Sequence, residues 1–123
     1  MRIVIEKGAR ELTLWDGARQ MFRCRIALGR EPAGPKEREG DGRTPEGVYT
    51  VCLVKERGKY GRSLGLSYPG MHDAQAALAR GEIYLHEGGN RSDWTQGCVA
   101  LEEADMDRVF PLRDRVEAVE IRP

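Results

Sequence analysis

The sequence predicts an α+β domain that is mainly β, with two short helices late in the chain. Two observations carry that prediction. Short apolar segments that alternate side to side recur between turn residues from the first residues onward. Only residues 73–80 and 103–110 have the composition of a helix, and neither stretch is long.

Residues 2–6 (Arg-Ile-Val-Ile-Glu) alternate, as do residues 11–15 (Glu-Leu-Thr-Leu-Trp). Asp16-Gly17 is then the strongest short hairpin signal before a third run that reaches about Leu28, so three antiparallel strands are expected to open the fold. Residues 29–47 are rich in Gly, Pro and charge, which breaks any regular element; a loop of that length in a small domain usually carries function. Residues 48–54 (Val-Tyr-Thr-Val-Cys-Leu-Val) predict a central strand with Cys52 in the core, and residues 64–68 a shorter strand. Residues 73–80 predict a short helix stopped by Gly81. Residues 83–86 (Ile-Tyr-Leu-His) read as a strand, residues 87–96 as a polar loop, residues 103–110 as a helix with an acidic start, and residues 116–121 as the last strand.

At 123 residues the chain is expected to form one domain, residues 1–123, with a single hydrophobic core. Hydrophobic residues make up 40% and charged residues 33%, with Lys+Arg and Asp+Glu equal at 20 each. That balance excludes a disordered tail and a polybasic nucleic-acid binder. Cys24, Cys52 and Cys98 are too few and too scattered for a disulfide framework, and no C-x-x-C suggests zinc, so neither a metal nor another cofactor is expected. The first residues enter an alternating segment at once, so no export leader is expected, and no apolar run is long enough for a membrane span. The expectation is a monomeric cytoplasmic protein, or one of the cell envelope if a leader has been removed.

The informative segment runs from His86 to Leu101. A histidine ends a strand, and beyond a polar loop Cys98 follows Gly97. A thiol with an ordinary pKa near about 8.5 needs an imidazole or a positive environment to become a strong nucleophile at neutral pH. Gly97 lets the backbone approach a substrate, and amides around Gly97 and Cys98 are candidates for binding an oxyanion. Trp94 reads as a flat wall beside the site or as a loop anchor packed on the core. By contrast, Cys24 and Cys52 lie in strand patterns among apolar neighbours, the setting of inert buried cysteines, and His72 precedes a helix.

Thr95-Gln96-Gly97-Cys98-Val99 resembles the [Ser/Thr]-x-Gly-Cys-aliphatic signature of the L,D-transpeptidase (YkuD) catalytic domain, with His86 matching that family's strand-borne histidine. Residues 40–49 resemble its Gly-x-x-Thr-Pro-x-Gly-x-Tyr stretch, and residues 64–69 the strand before its helix. The match is closest to a branch with Asp-Trp-Thr-x-Gly-Cys-[Ile/Val]-Ala, in which Gln96 and Ala100 stand where a His and an Arg are commoner.

The resemblance implies a β-sandwich or partly open barrel and a cysteine acyltransferase. Cys98, His86 and Gly97 are its catalytic residues, and Thr95, Trp94, Arg43 and Arg91 its candidate substrate contacts. The implied partner is a peptidoglycan stem peptide or muropeptide, cleaved between an L-centred diamino acid and D-Ala. The acyl group then passes to water (L,D-carboxypeptidase) or to an amine (L,D-transpeptidase). A binding module that has lost catalysis is the alternative, and Arg43, Arg62 and Arg91 are candidates to replace the missing motif arginine.

Overall fold

The computed structural model describes residues 1–37, 40–68 and 83–123. The helix expected over residues 73–80, with Gly81 and His72, lies outside the described residues.

Two open sheets face each other. The first has the order β3-β2-β1-β9-β4, built from β1 (Arg2–Glu6), β2 (Glu11–Asp16), β3 (Arg19–Arg25), β4 (Gly47–Tyr49) and β9 (Ala118–Arg122). The second has the order β5-β6-β7-β8, built from β5 (Val51–Gly58), β6 (Gly61–Leu66), β7 (Tyr84–Glu87) and β8 (Val99–Leu101). Neither sheet closes, so the architecture is a sandwich and not a barrel. The hairpin expected at Asp16-Gly17 joins β2 to β3, and Gly17 takes the positive φ of 60° that such a turn requires. The third strand stops at Arg25, short of the expected Leu28, although Ala27 still forms a bridge to Ala100.

Alternation along the strands builds the core. Ile3, Ile5, Leu12, Leu14, Val119 and Ile121 of the first sheet meet Leu64, Leu66, Leu85, Val99 and Leu101 of the second. Each such side chain, fully buried, contributes about 1.5–3 kcal/mol relative to exposure. Helix α1 (Glu103–Val109) adds Met106 and Val109 to the same cluster. A 3₁₀ turn (Phe110–Arg115) then leads the chain into β9. Among the described residues, no helix is long and apolar enough to cross a membrane.

One expectation fails here. Residues 48–54 do not form a central strand: the run divides at Thr50 between β4 and β5, which are edge strands of different sheets. Thr50 is stitched to Ser67 at the division, its N–H donating to Ser67 Oγ and its carbonyl accepting from the Ser67 N–H, each at 2.9 Å. Just beyond, Val51 pairs with Leu66 and Leu53 with Gly65, so Cys52 is the extra residue of a β-bulge. A bulge turns its residue out of the ladder, and Cys52 is accordingly exposed and not in the core.

The described residues between 29 and 46 are irregular, as expected, yet strongly tied down, and Gly47 already begins β4. The Gly29 N–H donates to Thr44 Oγ1 (2.9 Å), closing the loop at its base. Lys7, 3% exposed, spends its ammonium on the carbonyls of Gly34 (2.8 Å) and Thr44 (2.7 Å) and on the Glu46 carboxylate (3.0 Å). A buried ammonium has three donors, and all three are matched. Further along, Lys36 donates to Asp41 (2.9 Å) and to the Gln96 carbonyl (3.4 Å), so the loop touches the segment that carries Cys98.

Candidate active site

Strands β7 and β8 run parallel, with Leu85 opposite Val99 and His86 opposite Ala100. One step earlier in that register, the Tyr84 N–H donates to the Cys98 sulfur at 3.3 Å, a contact stronger to a thiolate than to a thiol. Because side chains alternate, Leu85 and Val99 point into the core and are fully buried, while Tyr84, His86 and Cys98 share the other face. A diagonal pair on neighbouring strands is roughly 7–8 Å apart at the backbone, which an imidazole and a thiol pointing the same way can bridge. Slipping β7 by one residue would turn the imidazole into the apolar core and Leu85 out of it, and slipping β8 would do the same to Cys98 and Val99, so core packing fixes the pairing of His86 with Cys98.

His86 is 3% exposed. Its Nδ1 lies against the Glu87 carbonyl, which can only accept, so Nδ1 carries the proton and Nε2 is left as a base. Burial holds the imidazole below its ordinary value of 6.5, against a smaller opposing effect of the Glu87 carbonyl. The ring is therefore neutral at neutral pH and able to take a proton. It stacks on Tyr60 (centroids 4.7 Å apart, 23° between planes) and meets Trp94 edge-on at 5.6 Å.

The loop before Cys98 is built from side-chain anchors. Asp93 Oδ2 accepts from Arg10 Nη2 (2.8 Å) and Nε (3.0 Å), and Asp93 Oδ1 accepts from the Leu28 N–H (3.0 Å). Thr95 donates its hydroxyl to the Cys98 carbonyl (2.6 Å) and accepts from the Gly97 N–H (3.1 Å). Thr95 thus braces the turn. The Gly97 N–H, expected to face an oxyanion, is committed to that hydroxyl, which leaves Gly97 a conformational part. Its φ is 141°, and a Cβ there would stand 2.7 Å from the Arg43 carbonyl oxygen. Gly97→Ala is therefore expected to cost about 2 kcal/mol and lower the melting temperature by roughly 5–10 °C, with activity falling at least about ten-fold. Thermal melts and turnover of the same preparation check both.

Cys98 and His86 line one cavity of about 390 Å³, together with Arg30, Lys55, Lys59 and Tyr60. Trp94 walls it and also donates its indole N–H to the Gly89 carbonyl (3.1 Å), so it is both wall and anchor. A more open hollow of about 690 Å³ shares Tyr60 and Trp94 and is otherwise edged by Glu87, Arg91, Glu102 and Glu103. Arg91 belongs to that hollow. The Arg43 guanidinium lies near Glu37 (3.6 Å) and Pro35, lining neither of these spaces. Arg62 is held by Glu87 (2.8 Å) and Asp107 (2.6 Å).

Sequence reasoning missed Tyr60, Arg30 and the anchoring part of Asp93. A signal for Tyr60 was present in Gly58-Lys59-Tyr60-Gly61, since two residues between paired glycines mark the tip of a hairpin. Arg30 gave none, because it sits among charged loop residues with nothing to say which way it points.

The fold is thus a two-sheet β domain that carries a cysteine and a histidine on one sheet face and in one cavity. The chain belongs to the L,D-transpeptidase catalytic domain (YkuD) family, whose model it matches over residues 1–121. It is similar to the YafK protein of Escherichia coli strain K12, with 30% identity over 79 residues, 63% of this chain and 30% of YafK. The fold is similar to that of the helical cell shape determining protein Pgp2 from Campylobacter jejuni, with a TM-score of 0.76 at 23% identity, covering 98% of this chain and 46% of Pgp2. It is also similar to an L,D-transpeptidase from Mycobacterium smegmatis, with a TM-score of 0.60 at 12% identity, covering 98% of this chain and 58% of that one. The chain thus spans less than a third of YafK and about half of these solved structures.

Proposed function

We propose that the chain is a cysteine acyltransferase acting on peptidoglycan stem peptides, with Cys98 as nucleophile and His86 as its base. The observation that carries this reading is the buried His86 imidazole, its Nδ1 against the Glu87 carbonyl, on the same sheet face and in the same cavity as Cys98. Nε2 takes the thiol proton. The thiolate sulfur then attacks the carbonyl carbon between the diamino acid and D-Ala, and the tetrahedral intermediate collapses with cleavage of the C–N bond. The imidazolium gives its proton to the departing D-Ala nitrogen, leaving a thioester on Cys98. Water or an amine then attacks the thioester carbon, loses a proton to His86 and releases the thiolate. The first half-reaction is common to both outcomes, so the same residues serve hydrolysis and transfer.

The test is product analysis with purified disaccharide-tetrapeptide, with and without an added amine acceptor, by liquid chromatography and mass spectrometry. The expected products are D-Ala with the tripeptide when water resolves the thioester, and an amine-exchanged or dimeric product when the acceptor is present. Absence of any tetrapeptide consumption, together with absence of a covalent adduct on Cys98 after incubation with a carbapenem, sinks the reading.

A further inference from the structure

Across the whole chain acids and bases cancel, but around the thiol they do not. Arg30, Lys55 and Lys59 reach the Cys98 cavity from the 29–47 loop and the far end of β5, and no Asp or Glu lines it among the described residues. The arginines that the sequence offered are occupied or turned elsewhere: Arg62 by Glu87 and Asp107, Arg43 toward Glu37, Arg91 in the neighbouring hollow. Arg30 differs. Its guanidinium has no ion pair or hydrogen bond among the described residues, although its backbone is fixed by an N–H bond to the Thr95 carbonyl (3.0 Å). Next to it, a Cβ built on Gly29 would lie 3.2 Å from the Gly97 Cα, so this strip of loop abuts the residue before the nucleophile.

Resting on the acyl-transfer reading above, we propose that Arg30, supported by Lys55 and Lys59, selects the acyl donor by the free carboxylate of its leaving residue. In a substrate whose leaving group is its last residue, the terminal carboxylate carbon follows the scissile nitrogen by two bonds. It therefore lies within about 4 Å of the bond being broken. Wherever the Cys98 sulfur attacks, that carboxylate enters the same cavity. Placing it there without a cation costs several kcal/mol of lost hydration, whereas a guanidinium offers paired N–H donors of matching shape. A donor extended by another residue, or capped as an amide, moves or removes the charge and forfeits the contact.

The experiment uses Cys98→Ala protein, which retains the cavity without turnover, and calorimetric titration with two probes: the tetrapeptide stem as free acid and as C-terminal carboxamide. The carboxamide is expected to bind roughly ten-fold more weakly. Arg30→Gln in this background should weaken the free acid by a similar factor and erase the difference between probes, and Arg30→Lys should restore part of it. Added salt should weaken the free acid and spare the carboxamide. Arg23→Gln, on the exposed edge of β3 and paired with Glu11, serves as the control. Equal affinity for the two probes overturns the proposal, and so does discrimination that survives Arg30→Gln or that only Lys59→Gln removes. Failure of the acyl-transfer reading shows separately, as a wild-type protein that discriminates the probes yet consumes neither.

Discussion

Replacing Cys98 with alanine is expected to reduce turnover of a tetrapeptide stem by at least about 10³-fold while leaving the fold intact, because losing a nucleophile removes the covalent route altogether. The fold should survive because the sulfur, half-buried at the cavity wall, is not what holds the segment in place. Thr95 Oγ1 holds the Cys98 carbonyl, and Val99 anchors β8 in the core. Cys24→Ala should behave in the opposite way. Burial, reinforced by Asp105 and Glu11, pushes the Cys24 thiol up to about 12, so it is a packing group whose loss costs stability and not rate. Alkylation alone does not separate the candidates, since the bulged Cys52 is exposed and open to labelling. The informative measurement follows tetrapeptide turnover by mass spectrometry in each single mutant. Near wild-type rates in Cys98→Ala would falsify its assignment as nucleophile.

His86→Ala is expected to lower acylation by roughly 10²–10⁴, the usual worth of a general base. Its pH signature follows from burial. The base form is the neutral ring, and since burial holds the imidazole below 6.5, kcat/KM should persist as pH falls through that value and decline only further into acid. Stability responds in the same direction. A base whose folded value is depressed is stabilising above its unfolded value, and that contribution disappears as pH falls through the folded one. The non-titrating His86→Gln variant should therefore lose less stability than wild type between pH 7 and pH 5, a window set around the ordinary value. A pH–rate profile and melts across that range read both effects. An acid limb unchanged in His86→Gln would assign the base to another group.

The strands were legible where period two and turn chemistry agree. Arg2–Glu6, Glu11–Asp16 and the Asp16-Gly17 turn stand as expected, and Tyr84–Glu87 leads into the polar loop that returns to Cys98. The nucleophile and base candidates were legible because both lie on or beside strands whose partners, Leu85 and Val99, are plainly apolar. The 48–54 run misled because apolar side chains on both faces say that a segment is strand-like, not which sheet owns it. A one-residue bulge then reversed the facing of Cys52, and a pattern of alternation cannot register an inserted residue. Thr95 and Gly97 hydrogen-bond within their own turn, and sequence could not show this, since a hydroxyl that satisfies its own turn looks the same there as one that faces a ligand. Arg43 and Arg91 illustrate a different limit: long cationic side chains on a loop are assigned by geometry alone.

The staples that Lys7 and Thr44 place on the 29–47 loop make its ends independent of its middle. Loop-closure entropy grows slowly, by about 0.6 kcal/mol for each doubling of length, so the chain between pinned ends tolerates insertion and replacement cheaply. The reacting pair, by contrast, is registered by core packing on a different sheet. Arg30 stands on the pinned base, next to Gly29 and with its own N–H on the Thr95 carbonyl. Evolution can therefore rewrite the cassette between residues 34 and 44 while the cysteine, its base and the arginine beside them stay on a chassis that does not feel the exchange.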